Sequence, residues 1–129
     1  MEKKLEDYES VKKWSLYGNR GKAYKKSTQN VHLKYMNLWC TITELNPDEL
    51  AVVKELPKAR GVISKGLREQ KMRVVTVILR INALNAFWRI NGRVINDEYE
   101  GIGPHLYKEI KKRSASAVDD AVGRFNGVS

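Results

Sequence analysis

One cysteine, Cys40, stands in a chain of 129 residues. That excludes an internal disulfide and a thiolate zinc site, and it fits a reducing, intracellular compartment. Histidine is almost as scarce: His32 lies eight residues before Cys40, and His105 stands alone in a loop. No metal site and no cofactor are expected from so thin a set of ligands. His32 reads as a surface or phosphate-facing residue, and Cys40 as a partly buried small side chain. Long uncharged apolar runs are missing, so no segment reads as a membrane span. The opening MEKKLEDYES is polar and of mixed charge, which is not the form of a signal peptide. No Gly-x-Ser-x-Gly elbow is present. GNRGK lacks both the spacing and the preceding strand of a phosphate-cradling loop. Asp119 and Asp120 have no carboxylate three or four residues on with which to share a proton or a metal. No active site contained in this chain is expected.

Acidic residues are absent from whole regions. Between Ser10 and Thr43 the bases are Lys12, Lys13, Arg20, Lys22, Lys25, Lys26 and Lys34, with no acid among them. Between Leu56 and Asn96, Glu69 alone faces Lys58, Arg60, Lys65, Arg68, Lys71, Arg73, Arg80, Arg89 and Arg93. The acids fall in Glu2–Glu9, in Glu44–Glu55 and after Asp97. With a formal net charge of +9, segregation of this kind points to a polyanionic partner.

What the sequence does hold is helical periodicity. The stretch Ser64–Arg93 is the longest apolar run and reads as one long, central helix. Val74, Val77, Ile78, Ile81, Leu84 and Trp88 share one face. Val75, Leu79, Ala83, Phe87 and Ile90 form a second stripe, while Arg73, Thr76 and Arg80, and then Asn82, Asn85 and Arg89, form polar strips. Gly92 is the expected stop. A strand over Val74–Leu79 is the competing reading, on its β-branched residues. The helix is preferred because Ala83, Leu84 and Ala86 extend the pattern past strand length.

Residues 1–17 form a short amphipathic helix on this reading, and residues 18–26 a loop or linker with two glycines and four bases. Ser27 or Thr28 caps the next helix, whose apolar face is Val31, Tyr35, Leu38, Trp39, Ile42 and Leu45. Asn46-Pro47 ends it, and Pro47 opens a short helix that turns Leu50, Val53 and Leu56 inward. Pro57–Gly66 reads as a break with a turn or short helix at Ala59–Ile63. After Gly101, Gly103 and Pro104, a short helix starts near Leu106, and Ser114 or Ser116 caps a last one over Ala117–Phe125. The fold expected is all-α, an orthogonal bundle of four to six small helices. Its parts are an N-terminal helix and basic linker (1–26), a helical core (27–95) and a C-terminal linker with short helices (96–129).

Basic loops, hydroxyls at helix starts and arginines on helix faces are the tools that grip a duplex backbone. Lys25, Lys26, Ser27 and Thr28 stand where backbone N–H groups at a helix start would meet a phosphate. Arg20, Lys22 and Lys34 flank them. Lys65, Arg68, Lys71 and Arg73 lie at the start of the long apolar stretch. Arg80 and Arg89 fall between core and surface.

The order of these features resembles the N-terminal core-binding domain (SAM-like) of tyrosine recombinases, the phage-integrase and Xer superfamily. KKSTQNVHLKYMNLWC is similar to that domain's first core helix, and ALNAFWRINGRVI to its last long one. VKKW upstream and PDEL after the first helix look most like integrases of archaea and their mobile elements. The likeness runs from Val11 to Ile95. It implies a helical module that closes one side of a clamp on double-stranded DNA. Lys25, Lys26, Ser27 and Thr28 would lie on phosphates, with Arg68, Lys71 and Arg73 also in contact. It further implies a separate catalytic domain, or a second copy of the chain, as a partner. The family's catalytic arginines, lysine, His-x-x-Arg box and tyrosine are absent, and His105 is followed by Leu-Tyr-Lys. Cleavage by this chain alone is not expected. The location implied is cytoplasmic, at the nucleoid or in host cytoplasm for a viral source. Two other readings compete: a basic helical protein that coats or packages DNA, as in a nucleocapsid or nucleoid, and a regulatory module whose Leu5–Leu16 face binds a partner helix.

Overall fold

A computed structural model of the chain describes residues 3–103, together with Leu106, Lys108, Glu109 and Lys112. A 3-10 turn at Leu5–Asp7 leads into α1 (Glu9–Tyr17), followed by α2 (Lys26–Thr43), α3 (Pro47–Ala51), α4 (Leu56–Glu69) and α5 (Val74–Ile90). The described residues thus form a small all-helical bundle with no named strand. The expected helix over Ala117–Phe125 lies outside the described residues. Leu106 is helical and buried.

The core is aromatic. Trp14, Trp39, Phe87 and Trp88 are fully buried alongside Met36, Leu50, Ile63, Leu67, Val77, Ile81 and Leu84. Each large apolar side chain so buried contributes about 1.5–3 kcal/mol. Val11 and Trp14 put α1 in this core, so residues 9–17 are part of the bundle. On α2 the buried positions are Met36 and Trp39, whereas Val31, expected on the apolar face, is exposed. The inward face of α2 is therefore rotated from the one its first half suggests.

The expected helix Ser64–Arg93 is two helices. α4 ends at Glu69, and Lys71 adopts a left-handed φ of 60°. The Met72 N–H then bonds back to the Leu67 carbonyl at 3.4 Å, and the Lys71 N–H to that of Arg68 at 2.9 Å. These are the two closures of a Schellman motif. The same motif ends α5. There Gly92 takes φ 84°, Arg93 N–H reaches the Trp88 carbonyl and Gly92 N–H that of Arg89, both at 3.0 Å. Gly92 is the expected stop; the stop at Lys71 carries no glycine to announce it. Correspondingly, Pro57–Gly66 is not a break but most of α4. Pro57 sits in its first turn, where no intrahelical N–H is needed. Arg60, Ile63, Ser64 and Leu67 form its buried stripe. No strand forms over Val74–Leu79, and in the second expected stripe of α5 Val75 and Leu79 are 43% and 60% exposed.

Polar bonds fix how the helices meet. Asn46 and Glu49 form a complete capping box at the start of α3. Asp48 of α3 accepts the Ser10 N–H at 3.0 Å, which caps α1 from outside. Trp88 donates its indole N–H to the Leu50 carbonyl at 3.0 Å. Arg93 donates to the Ala51 and Val53 carbonyls, and Asn91 to that of Ser10 at 3.2 Å. Arg60, only 1% exposed, is a structural arginine. It donates twice to Asn85 Oδ1 (3.2 and 3.0 Å) and once to the Glu100 carbonyl (2.8 Å), with Trp88 beneath it. Asn85 passes the link to the Glu98 carbonyl at 2.9 Å. Burial lowers the Arg60 pKa, and the nearby Asp97 and Glu100 oppose that effect. Gly101, at φ 96°, crosses so close to α4 that an added Cβ would sit on the Pro57 carbonyl.

Candidate nucleic-acid interface

Residues 18–25 are not an irregular linker. Asn19 and Lys22 exchange backbone bonds of 3.1 and 3.0 Å, forming an isolated antiparallel bridge. The two residues between them, Arg20 and Gly21, take φ 54° and 84°. Positive φ at both central positions is the signature of a type I′ turn. Arg20 therefore rides at the tip of a tight hairpin. Tyr24 fastens the hairpin to the bundle. Its N–H donates to the Ser15 carbonyl and its hydroxyl to the Gly18 carbonyl, both at 3.0 Å, while Gln29 donates to its carbonyl at 2.8 Å.

The hairpin delivers the chain to the start of α2. The helix begins two or three residues earlier than expected, at Lys26, and the N-cap is Lys25 rather than Ser27 or Thr28. No side chain caps it, and its first turn holds no acid. The amides of Lys26, Ser27 and Thr28 precede the first intrahelical bond, made by the Gln29 N–H to the Lys25 carbonyl at 2.9 Å. They are thus donors left without an intrahelical acceptor. Lys25, Lys26 and Ser27 are exposed, Thr28 partly so.

A second helix start repeats this chemistry. Arg73 is the N-cap of α5, again with no side-chain cap and no acid in the first turn. Bases at a helix N-terminus oppose the helix dipole, where an acid would contribute about 0.3–1 kcal/mol. α3 follows the usual preference, with Asp48 and Glu49 in its first turn. The starts of α2 and α5 invert it, and an external anion reverses the sign of that cost.

Contacts along α2 locate the second group. A Cβ on Gly66 would press on Ile42, so α4 passes closely there. The Arg80 guanidinium lies over the Tyr35 ring at 4.3 Å. The end of α4 therefore lies against the C-terminal end of α2 and Arg80 of α5 against its middle, while the hairpin sits at its start. Thr28 and Tyr35 are separated by about 10 Å of helix. Ten of the eleven sequence candidates fall into two groups. Arg20, Lys22, Lys25, Lys26, Ser27 and Thr28 gather at the hairpin, and Lys65, Arg68, Lys71 and Arg73 at the α4–α5 turn. Lys34 lies between them on α2, exposed. None of the eleven enters an ion pair between described residues. Arg68 is engaged otherwise, donating to the Met72 carbonyl at 2.9 Å across the turn.

Four further arginines are engaged within the fold. Arg89 pairs with Glu98 at 2.6 Å. Arg60 and Arg93 hold carbonyls inside the fold. Arg80 is partly buried, with its Nε shut from water and unpartnered. His32 is not a phosphate-facing surface residue: it is half-buried and stacked on Trp14 at 4.0 Å. The organising residue that the sequence did not single out is Tyr24, which packs edge-on against His32. The available signal was Asn-Arg-Gly between Tyr17 and Tyr24, a turn dipeptide pattern framed by aromatics.

Little else suggests chemistry. Among the described residues no three His, Cys, Asp or Glu side chains gather into a metal site. Burial, aided by Glu49, pushes the Cys40 thiol up to about 11, so it stays protonated at neutral pH. No described helix is long and apolar enough to cross a membrane. No family model, curated protein or solved structure matches the chain.

Proposed function

We propose that the chain binds the phosphate backbone of double-stranded DNA, with the hairpin and α2 start as one contact and the α4–α5 turn as the other. The observation that carries this reading is the pair of helix starts, at Lys25 and at Arg73, that lack side-chain caps and acids and present bases instead. Phosphates supply the acceptors and the negative charge that both starts want. The order of KKSTQNVHLKYMNLWC and ALNAFWRINGRVI supports a narrower reading, the core-binding module of a tyrosine site-specific recombinase. In that role it clamps a recombination site in the cytoplasm while a separate domain cuts.

The test is a competition between an attachment-site duplex and random duplex, measured by anisotropy at fixed salt. A recombinase module prefers its own site by on the order of 10³-fold or more. Equal affinity for every duplex, with cooperative filaments in sedimentation, leaves a DNA-coating protein instead. No binding to any duplex at low salt removes both readings.

A further inference from the structure

His32 stands at the junction of three parts of the fold. Its ring lies flat on Trp14 of α1, with centroids 4.0 Å and planes 5° apart. Tyr24 of the hairpin meets it edge-on at 4.7 Å, and Tyr35 of α2 flanks it at 6.2 Å. Its Nδ1 is closed off from water and has no hydrogen-bond partner. We propose that His32 is a proton-operated latch on the basic hairpin: neutral, it holds Tyr24 and the attached Arg20, Lys22 and Lys25 on the bundle, and protonated, it lets them go. The latch rests on the reading of that hairpin as a DNA contact.

An imidazolium would carry a second ring proton, and the closed Nδ1 has no acceptor to offer it. Attraction to the Trp14 face opposes this effect, yet burial leaves the His32 pKa below its ordinary value. The charged residues adjoining the packing partners do not favour the cation either. Lys13 follows Trp14 on α1, Lys25 follows Tyr24, and Lys34 precedes Tyr35 on α2; all three are exposed bases. From α5, Phe87 packs edge-on against Trp14, and Arg80 lies over Tyr35. No carboxylate contributes to the shift.

The sign follows from the depressed pKa. The stabilisation is present above the ~6.5 of free imidazole and is lost as pH falls through the lower folded value. A plain basic surface behaves oppositely, since acid adds positive charge and tightens the grip on phosphate.

The experiment uses the full chain and its His32→Phe variant, which keeps a flat ring and removes the titration. Affinity for a labelled duplex is read from about pH 7.5 to about pH 5.5 at constant ionic strength, bracketing the ordinary imidazole range. Amide exchange of residues 18–25 is followed without DNA. The latch predicts that acid weakens duplex binding and raises hairpin exchange, corrected for intrinsic rates, on the order of tenfold, with both changes absent from the variant. Tighter binding in acid with hairpin protection intact overturns it, as does the same loosening in His32→Phe. Should the variant not fold, proton NMR of the wild-type imidazoles decides, with His105 identified through His105→Gln. A His32 midpoint at or above the free value, or hairpin amides that ignore it, also overturns the latch. Failure to bind duplex at any pH removes the functional reading, and hairpin exchange then judges the latch alone.

Discussion

Lys25 and Lys26 stand at a helix start whose approach is pinned at three points by Tyr24. Lys71 and Arg73 stand at a start reached through a turn that the bases themselves help to build. There Arg68 bonds across to Met72, and Lys71 supplies the left-handed residue. In the hairpin the scaffold is aromatic and the lysines that flank it are left to solvent. In the turn the same residue types serve structure and surface at once. Positive charge counted along a chain is therefore an upper bound on charge offered to a partner. Arg60, Arg89 and Arg93 make the point more strongly, because each is bound to a carbonyl, an amide or a carboxylate of the fold.

Four variants test that contrast. Tyr24→Ala should have the largest effect, because it removes the ring and the hydroxyl bond to the Gly18 carbonyl, leaving the hairpin held by backbone bonds alone. A loss of about 2–3 kcal/mol in chemical denaturation is expected, along with faster exchange in residues 18–25. A near-neutral result would mean that the hairpin is held without its aromatic scaffold. Charge reversal comes next. Lys25→Glu with Lys26→Glu should weaken duplex binding by about 2 kcal/mol, roughly thirtyfold, with no loss of stability, since acids suit a helix start. Lys71→Glu with Arg73→Glu should weaken binding less, and the acids at the start of α5 should raise stability slightly through the helix dipole. Equal losses of affinity would erase the distinction between the groups. Smallest is Lys71→Gly, which relieves a left-handed φ that a Cβ disfavours. It should stabilise the fold by about 0.5–1 kcal/mol while slightly weakening binding. Destabilisation by Lys71→Gly would show that the side chain contributes more than its backbone conformation costs.

The pair of Schellman motifs shows where the sequence was legible. Gly92 announces the end of α5, because glycine alone reaches positive φ without cost. Lys71 performs the same backbone task with no such marker, so α4 and α5 read as one helix. The preference that hid the break is also weak, since apolar spacing runs nearly in register from Ile63 to Ile81 across it. Asn46-Pro47 was readable because proline's effects on the helix before it and the helix after it are local. Arg60 was not: its partners Asn85 and Glu100 lie 25 and 40 residues away. The same holds for the site. Bases at helix starts are visible from composition and spacing, whereas Tyr24 and His32 acquire their roles only when α1, the hairpin and α2 come together. Met36 replaced Val31 in the core for a related reason, as the face that turns inward is chosen by neighbours rather than by the helix itself.

Salt dependence addresses the central claim most directly. The affinity of the wild-type chain for a duplex is measured across a range of monovalent salt, beside that of Lys25→Glu with Lys26→Glu. Each phosphate neutralised contributes about 0.9 to the negative slope of log K against log salt. If Lys25 and Lys26 each meet a phosphate, the wild type shows a steep slope and the variant a slope shallower by about 2. Identical slopes for the two proteins would contradict the account, because the hairpin and the start of α2 would then take no part in the grip on DNA.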